Sequence, residues 1–153
     1  MVPTPLVHAV EMLKALGHPA RLRIVAILRE GPLSVCQIGG ILGSAPSTVS
    51  GHLLDLRRAG LVAEQRHGKW VYYRLDAELP ARMVVKALFS ALAADPQISD
   101  DQSIAGVLRS QSTAASCAAA APDGPHGPPN RDLSTVRRVR RPGLVGSVPG
   151  GAP

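Results

Sequence analysis

Ser44-Ala45-Pro46-Ser47-Thr48-Val49-Ser50-Gly51-His52-Leu53-Leu54-Asp55-Leu56-Arg57-Arg58-Ala59-Gly60-Leu61-Val62 is the stretch that decides the fold. It opens on small polar residues, continues into an apolar seam at Val49, Leu53 and Leu56, and closes on two arginines and a glycine. The seam has helical spacing, and the glycine supplies a left-handed stop. Ser47 or Ser44 is expected to cap this helix. Its hydroxyl-rich start can meet base edges while its basic end meets phosphates, which is the layout of a helix that reads DNA.

The segments on either side agree with that layout. Leu6, Val10, Leu13 and Leu16 recur every three or four residues, predicting a first helix that ends at Gly17. His18-Pro19 begins a second helix, with Pro19 in the first turn, where its missing N–H costs nothing. This helix runs to Gly31-Pro32. Ser34 caps a short third helix through Leu42. After the quoted stretch, 61–66 and 70–75 flank His67-Gly68-Lys69, a hairpin signal with glycine in the turn. Val71, Tyr73 and Leu75 share one face of the second strand, and Trp70, Tyr72 and Arg74 share the other. Asp76 or Ala77 leads into a last helix, over about 78–93. The expected class is therefore mainly α with a β-hairpin wing. The first and last helices carry more apolar side chains than one small domain covers, so they are expected to pair with those of a second copy.

Composition divides the chain. Residues 1–94 hold 11 Lys and Arg against six Asp and Glu, so most of the net charge of +6 lies there. A cationic domain suits a polyanionic partner. From Asp95 onward the chain is rich in Ser, Ala, Pro, Gly and Arg and has no aromatic residue. Two domains are expected: a DNA-binding and dimerisation domain over 1–94, and a low-complexity, disordered tail over 95–153. Arg137-Arg138-Val139-Arg140-Arg141 in that tail is read as a solvated end, with added nonspecific DNA affinity as the alternative. No secretory signal or apolar run of spanning length is present, so a cytoplasmic protein without membrane contact is expected.

Three segments together resemble the ArsR/SmtB family of bacterial winged helix-turn-helix repressors. They are Leu13-Lys14-Ala15-Leu16-Gly17-His18-Pro19-Ala20-Arg21-Leu22-Arg23-Ile24, the helix from Ser47 to Gly60, and the hairpin ending Val71-Tyr72-Tyr73-Arg74-Leu75. The resemblance covers about residues 6–92. It implies a homodimer that binds an operator near its own promoter and releases it when a metal, metalloid or thiol-reactive signal binds. A twofold dimer would read an imperfect inverted repeat with half-sites about 34–36 Å apart. Ser47, Thr48, Ser50 and His52 are the expected base-facing residues, and Gly51 replaces a histidine that many relatives carry. Arg57 and Arg58 are expected at phosphates, and Arg66 and Lys69 at the wing tip.

Pro32-Leu33-Ser34-Val35-Cys36-Gln37-Ile38 is similar to the cysteine motif of arsenic-sensing relatives, with Ser34 in place of the first cysteine and Cys36 in place of the second. Thiophilic metalloids prefer sulfur donors. The expected inducer is a trivalent arsenical or a related soft metal(loid) at Cys36 and Cys117, with no constitutive cofactor. Inorganic As(III) generally takes three thiolates and this chain supplies two, which suits a methylated arsenical or a Cd- or Pb-like ion with a third light donor; a meeting of Cys36 and Cys117 between chains, or a disulfide or polysulfide bridge under oxidation, is the alternative. Residues 77–94 have no histidine, so the zinc site that other relatives place on the last helix is not expected. His8, His18 and His126 are isolated and are read as non-ligands. An enzyme with Cys36 as nucleophile lacks any supporting base or phosphate-loop pattern. A winged-helix module that binds DNA constitutively, or a protein-binding adaptor, is the other alternative.

Overall fold

The computed structural model describes residues 5–76 and 81–119. Helices α1 (Pro5–Leu16) and α2 (Pro19–Leu28) lead into a short strand β1 (Leu33–Ser34), then α3 (Val35–Leu42) and α4 (Pro46–Arg58). Strands β2 (Val62–His67) and β3 (Trp70–Leu75) follow, then α5 (Ala81–Ala91), α6 (Pro96–Ser110) and α7 (Thr113–Ala119). The sheet is antiparallel in the order β1-β3-β2, with Ser34 opposite Tyr72 and His67 opposite Trp70.

Each boundary has a local cause. His18 caps α2, its Nδ1 accepting the Ala20 N–H at 3.1 Å, with Pro19 in the first turn. Ser34 and Gln37 form a capping box on α3. Two neighbouring glycines on α3, Gly39 and Gly40, differ: a Cβ on Gly39 would stand 2.9 Å from the Ser44 carbonyl, so the α3–α4 turn closes directly over it. Gly60, at φ 70°, ends α4. The Gly60 N–H bonds Arg57 O and the Leu61 N–H reaches back to Leu56 O, the paired bonds of a left-handed helix end. Leu61 therefore belongs to the cap, and β2 begins one residue later than the alternation predicts.

The core joins α2, β1, α3 and α4 through Ile24, Ile27, Leu28, Leu33, Ile38, Val49, Leu53, Leu56 and Leu61, all fully buried, and α1 adds Met12, Ala15 and Leu16 to it. Burying each large apolar side chain contributes about 1.5–3 kcal/mol. The Val49, Leu53 and Leu56 seam alone thus fixes how α4 sits on the domain. Arg21 adds a polar tie: its guanidinium donates to the Lys14 and Ala15 carbonyls at the end of α1 and pairs with Asp55 of α4 at 3.2 Å.

Three sequence expectations are corrected here. Neither Ser44 nor Ser47 caps α4. Ala45 occupies the cap position without a side-chain bond, and Pro46 at the first helical position leaves one N–H fewer to satisfy. The two-residue strand β1 is additional, being too short to show alternation. The boundary expected at 94 is also displaced, because α6 and α7 lie beyond it and pack on the domain. Asp95 caps α6 by accepting the Ile98 N–H at 3.0 Å, with Pro96 in its first turn. Ile98, Asp101 and Ala105 of α6 are buried. Asp101 accepts two bonds from Arg23 of α2, at 2.7 and 2.9 Å, and one from Gln97 at 3.0 Å. The helix expected last is α5, so two further helices follow it. Residues 120–153, with His126 and the basic run 137–141, lie outside the described residues.

Candidate nucleic-acid interface and thiol site

With Val49, Leu53 and Leu56 inward, α4 turns Ser47, Thr48, Ser50 and Gly51 to solvent at its N-terminal half. Arg57 and Arg58 are exposed at its other end. They differ in their partners. Arg57 pairs with Glu64 of β2 at 3.0 Å, whereas Arg58 has no ion pair among the described residues and lines a cavity of about 290 Å³ with Lys14, Arg21 and Asp55. Glu64 also meets Arg66 at 3.6 Å, so one carboxylate holds a cation from the helix end and one from the wing. The Arg66 side chain is still 76% exposed. Lys69 lies over the Trp70 ring at 5.3 Å, which leans the ammonium along the wing tip.

His52 sits differently from the other expected reading residues. It is half-buried, and its ring lies 4.6 Å from that of His18 at the start of α2. Burial holds its pKa below the ordinary imidazole value, and His18 and Arg21 lower it further against the opposing pull of Asp55. On β3, burial raises the pKa of Tyr73, and Glu64 raises it further.

The two cysteines, 81 residues apart in sequence, are disulfide-bonded with a Cα–Cα separation of 5.3 Å. The expectation that Cys117 rides on a flexible tail is therefore corrected: Cys117 lies in α7, against the first turn of α3. Ser34, in the place of the missing cysteine, is buried beside both sulfurs, its Oγ 3.2 Å from Cys36 Sγ and 3.9 Å from Cys117 Sγ. The same residue caps α3 and pairs with Tyr72 in the sheet. Gln37 adds a second link, accepting from the Ser34 N–H at 3.0 Å and donating to Leu108 O of α6 at 3.0 Å. No cluster of three or more His, Cys, Asp or Glu that could hold a metal ion occurs among the described residues.

Sequence reasoning missed three residues around this junction. Tyr72 of β3 shares a hydrogen bond with Thr113 Oγ1 of α7. Arg109 of α6 donates to the carbonyls of Ile27 and Gly31 at the end of α2, and burial lowers its pKa. Gln37, Tyr72, Arg109 and Thr113 line a cavity of about 490 Å³. The alternation of β3, which sets Tyr72 on the face away from Tyr73, was the signal available for Tyr72. Arg109 and Thr113 carried none, because their partners are distant in sequence.

A helix-turn-helix pair, α3 and α4, followed by a β2–β3 wing defines a winged helix-turn-helix DNA-binding protein. The description "Bacterial regulatory protein, arsR family" matches residues 18–64. The chain is 34% identical over 101 residues to the HTH-type transcriptional regulator KmtR of Mycobacterium tuberculosis (strain ATCC 25618 / H37Rv), covering 66% of this chain and 78% of that protein. It is 41% identical over 68 residues to the arsenic resistance transcriptional regulator ArsR1 of Pseudomonas putida (strain KT2440), covering 44% of this chain and about half (53%) of that protein's length. The crystal structure of the transcriptional repressor BigR from Xylella fastidiosa superposes with a TM-score of 0.52 at 36% identity, covering 57% of this chain and 86% of that one. The chain belongs to the arsR family of bacterial regulatory proteins, a family of DNA-binding regulators rather than enzymes.

Proposed function

We propose that this protein is a cytoplasmic transcriptional repressor that binds operator DNA as a homodimer and releases it when the Cys36–Cys117 pair changes chemical state. In this reading Ser47, Thr48, Ser50 and His52 face the bases. Arg57, Arg58, Arg66 and Lys69 hold the flanking phosphates of an imperfect inverted repeat. Leu6, Val10 and Leu13 on α1 and Met83 on α5 are exposed large apolar residues, and this supports pairing of those helices with a second copy.

One observation carries the sensing part. Two cysteines 81 residues apart lie at disulfide distance, with a buried serine against both sulfurs. Oxidation by a low-molecular-weight disulfide RSSR balances in two steps. One cysteine thiolate attacks a sulfur of RSSR and releases RS⁻, and the second thiolate then attacks the mixed disulfide and releases the other RS⁻. The bridged form would be the one that leaves DNA.

A second reading keeps the same two sulfurs. A relative is named for arsenic resistance, and another, from Staphylococcus aureus, for cadmium resistance. A soft metalloid held by Cys36 and Cys117, with Ser34 Oγ as a light third atom, fits that chemistry.

A gel shift with the DNA upstream of the gene separates the readings. Oxidant alone should release the DNA, and dithiothreitol should restore binding. Release by arsenite, methylarsenite or Cd under reducing conditions, with none by oxidant, would favour the metalloid reading. Release by either agent from Cys36→Ser would remove both.

A further inference from the structure

Around the cysteine junction, two elements with different jobs meet. Cys117 and Thr113 are four residues apart in α7, so they stand on the same side of that helix. The sulfur is bonded to Cys36 at the start of α3. The Thr113 hydroxyl meets Tyr72 Oη, in the middle of β3. Tyr72 is in turn the strand partner of Ser34, whose hydroxyl lies against both sulfurs. From Tyr72, β3 runs back through Trp70 to the wing tip at His67–Lys69.

We propose that Tyr72 is the positioning residue through which the state of the cysteine pair reaches the wing. This inference rests on the redox reading above. In the bridged form α7 is tied twice, by the disulfide to α3 and by Thr113 to β3. The wing is thereby held where it does not fit DNA. In the dithiol form the covalent tie is gone. What remains is a seven-residue helix with Ser116 buried, the Thr113–Tyr72 hydroxyl bond and the long contact of Ser34 Oγ with the Cys117 sulfur. So short a helix has little stability of its own, and it undocks readily. Undocking frees Tyr72, and the wing can settle on DNA.

The device needs no movement of the core. It couples two sites through one element with two arrangements, which is what a switching account requires. Coupling between two binding equilibria is reciprocal. The factor by which oxidation weakens operator binding must therefore equal the factor by which operator DNA disfavours oxidation of the cysteine pair.

The test measures operator affinity at fixed salt for the dithiol and disulfide forms of the full chain and of Tyr72→Phe. The cysteine oxidation equilibrium is followed in dithiothreitol buffers with and without DNA. The wild-type chain should bind at least tenfold more weakly when oxidised, with a matching shift of its oxidation equilibrium by DNA. Tyr72→Phe should bind as the wild type does when reduced, within twofold, and both factors should fall below threefold. Thr113→Ala removes the same bond from the other side, and its effect should not add to that of Tyr72→Phe. A Tyr72→Phe protein that keeps the full wild-type factor overturns this inference and leaves the redox reading standing. A wild-type factor of one overturns the redox reading and this inference with it.

Discussion

Helices α4 and α7, to which the proposed function assigns DNA reading and sensing, are built in opposite ways. The thirteen residues of α4 are seated by three fully buried apolar side chains, and Ser47, Thr48, Ser50 and Gly51 on its outward face are exposed. The seven residues of α7 hold one buried serine, a disulfide and a side-chain hydrogen bond. A surface that must fit a rigid duplex is prepared in advance by the core beneath it. An element held by few buried contacts opens at low free energy, which suits the responsive role proposed for α7. Helix α6 stands between them: Ile98 and Ala105 seat it on the domain, and Asp101, equally buried, ties it to Arg23 of α2.

Five experiments break or sharpen that contrast. Asp101→Ala should have the largest effect on stability. It strands the Arg23 guanidinium, which is only partly exposed, and should cost about 3 kcal/mol. Urea unfolding should show this as one cooperative transition of the whole described unit. Two separate transitions would make α6 an appendage instead.

Cys117→Ser should abolish the oxidant response and leave reduced-state operator affinity within twofold. Wild-type release corresponds to at least a tenfold change, or about 1.4 kcal/mol. Titration by fluorescence anisotropy reads both values. Ser34→Ala removes the α3 cap and should cost about 1 kcal/mol in thermal or chemical denaturation.

Arg58→Ala should lower the slope of log affinity against log salt by about 0.9, the loss of one phosphate contact. Arg57→Ala should lower it less, because Arg57 already shares its charge with Glu64. Equal slopes for the two variants would remove this distinction between the arginines.

The smallest effect concerns pH. His52 takes up a proton in the unfolded chain near 6.5 and only at lower pH in the folded one. The unfolded state therefore binds more protons at His52 in that window, and the contribution of His52 to stability falls as pH drops below 6.5. The denaturation midpoint of His52→Gln should fall less over the same range than that of the wild type.

Much of the domain was legible because its signals are local. Pro19, the Ser34–Gln37 box and Gly60 mark helix ends within a few residues of themselves, and the Val49-Leu53-Leu56 seam identifies the inward face of α4. The exposure of Ser47, Thr48, Ser50, Arg57 and Arg58 followed from the same seam, whereas the half-buried place of His52 against His18 did not. The part beyond 94 was illegible for a physical reason. Ile98, Asp101, Ala105 and Leu108 follow helical spacing, but the second of them is a carboxylate. An aspartate reads as a break in an apolar seam unless its partner is known, and Arg23 lies 78 residues earlier. The Asp95-Pro96 start was a cap signal in plain view, outweighed by the Ser- and Ala-rich composition around it. The cysteine junction was half legible: both residues stood out, but their distance in the fold depends on α6 and α7 docking. Tyr72 and Thr113 joined the site only through that docking.

The central claim is that the bond between Cys36 and Cys117 governs how well α4 and the wing hold DNA. The most direct measurement is the operator affinity of one protein preparation, split into fully reduced and fully oxidised halves, at one salt concentration and one pH. The account predicts that the oxidised half binds at least tenfold more weakly and regains full affinity on reduction. Equal affinity of the two halves for the same DNA would contradict it.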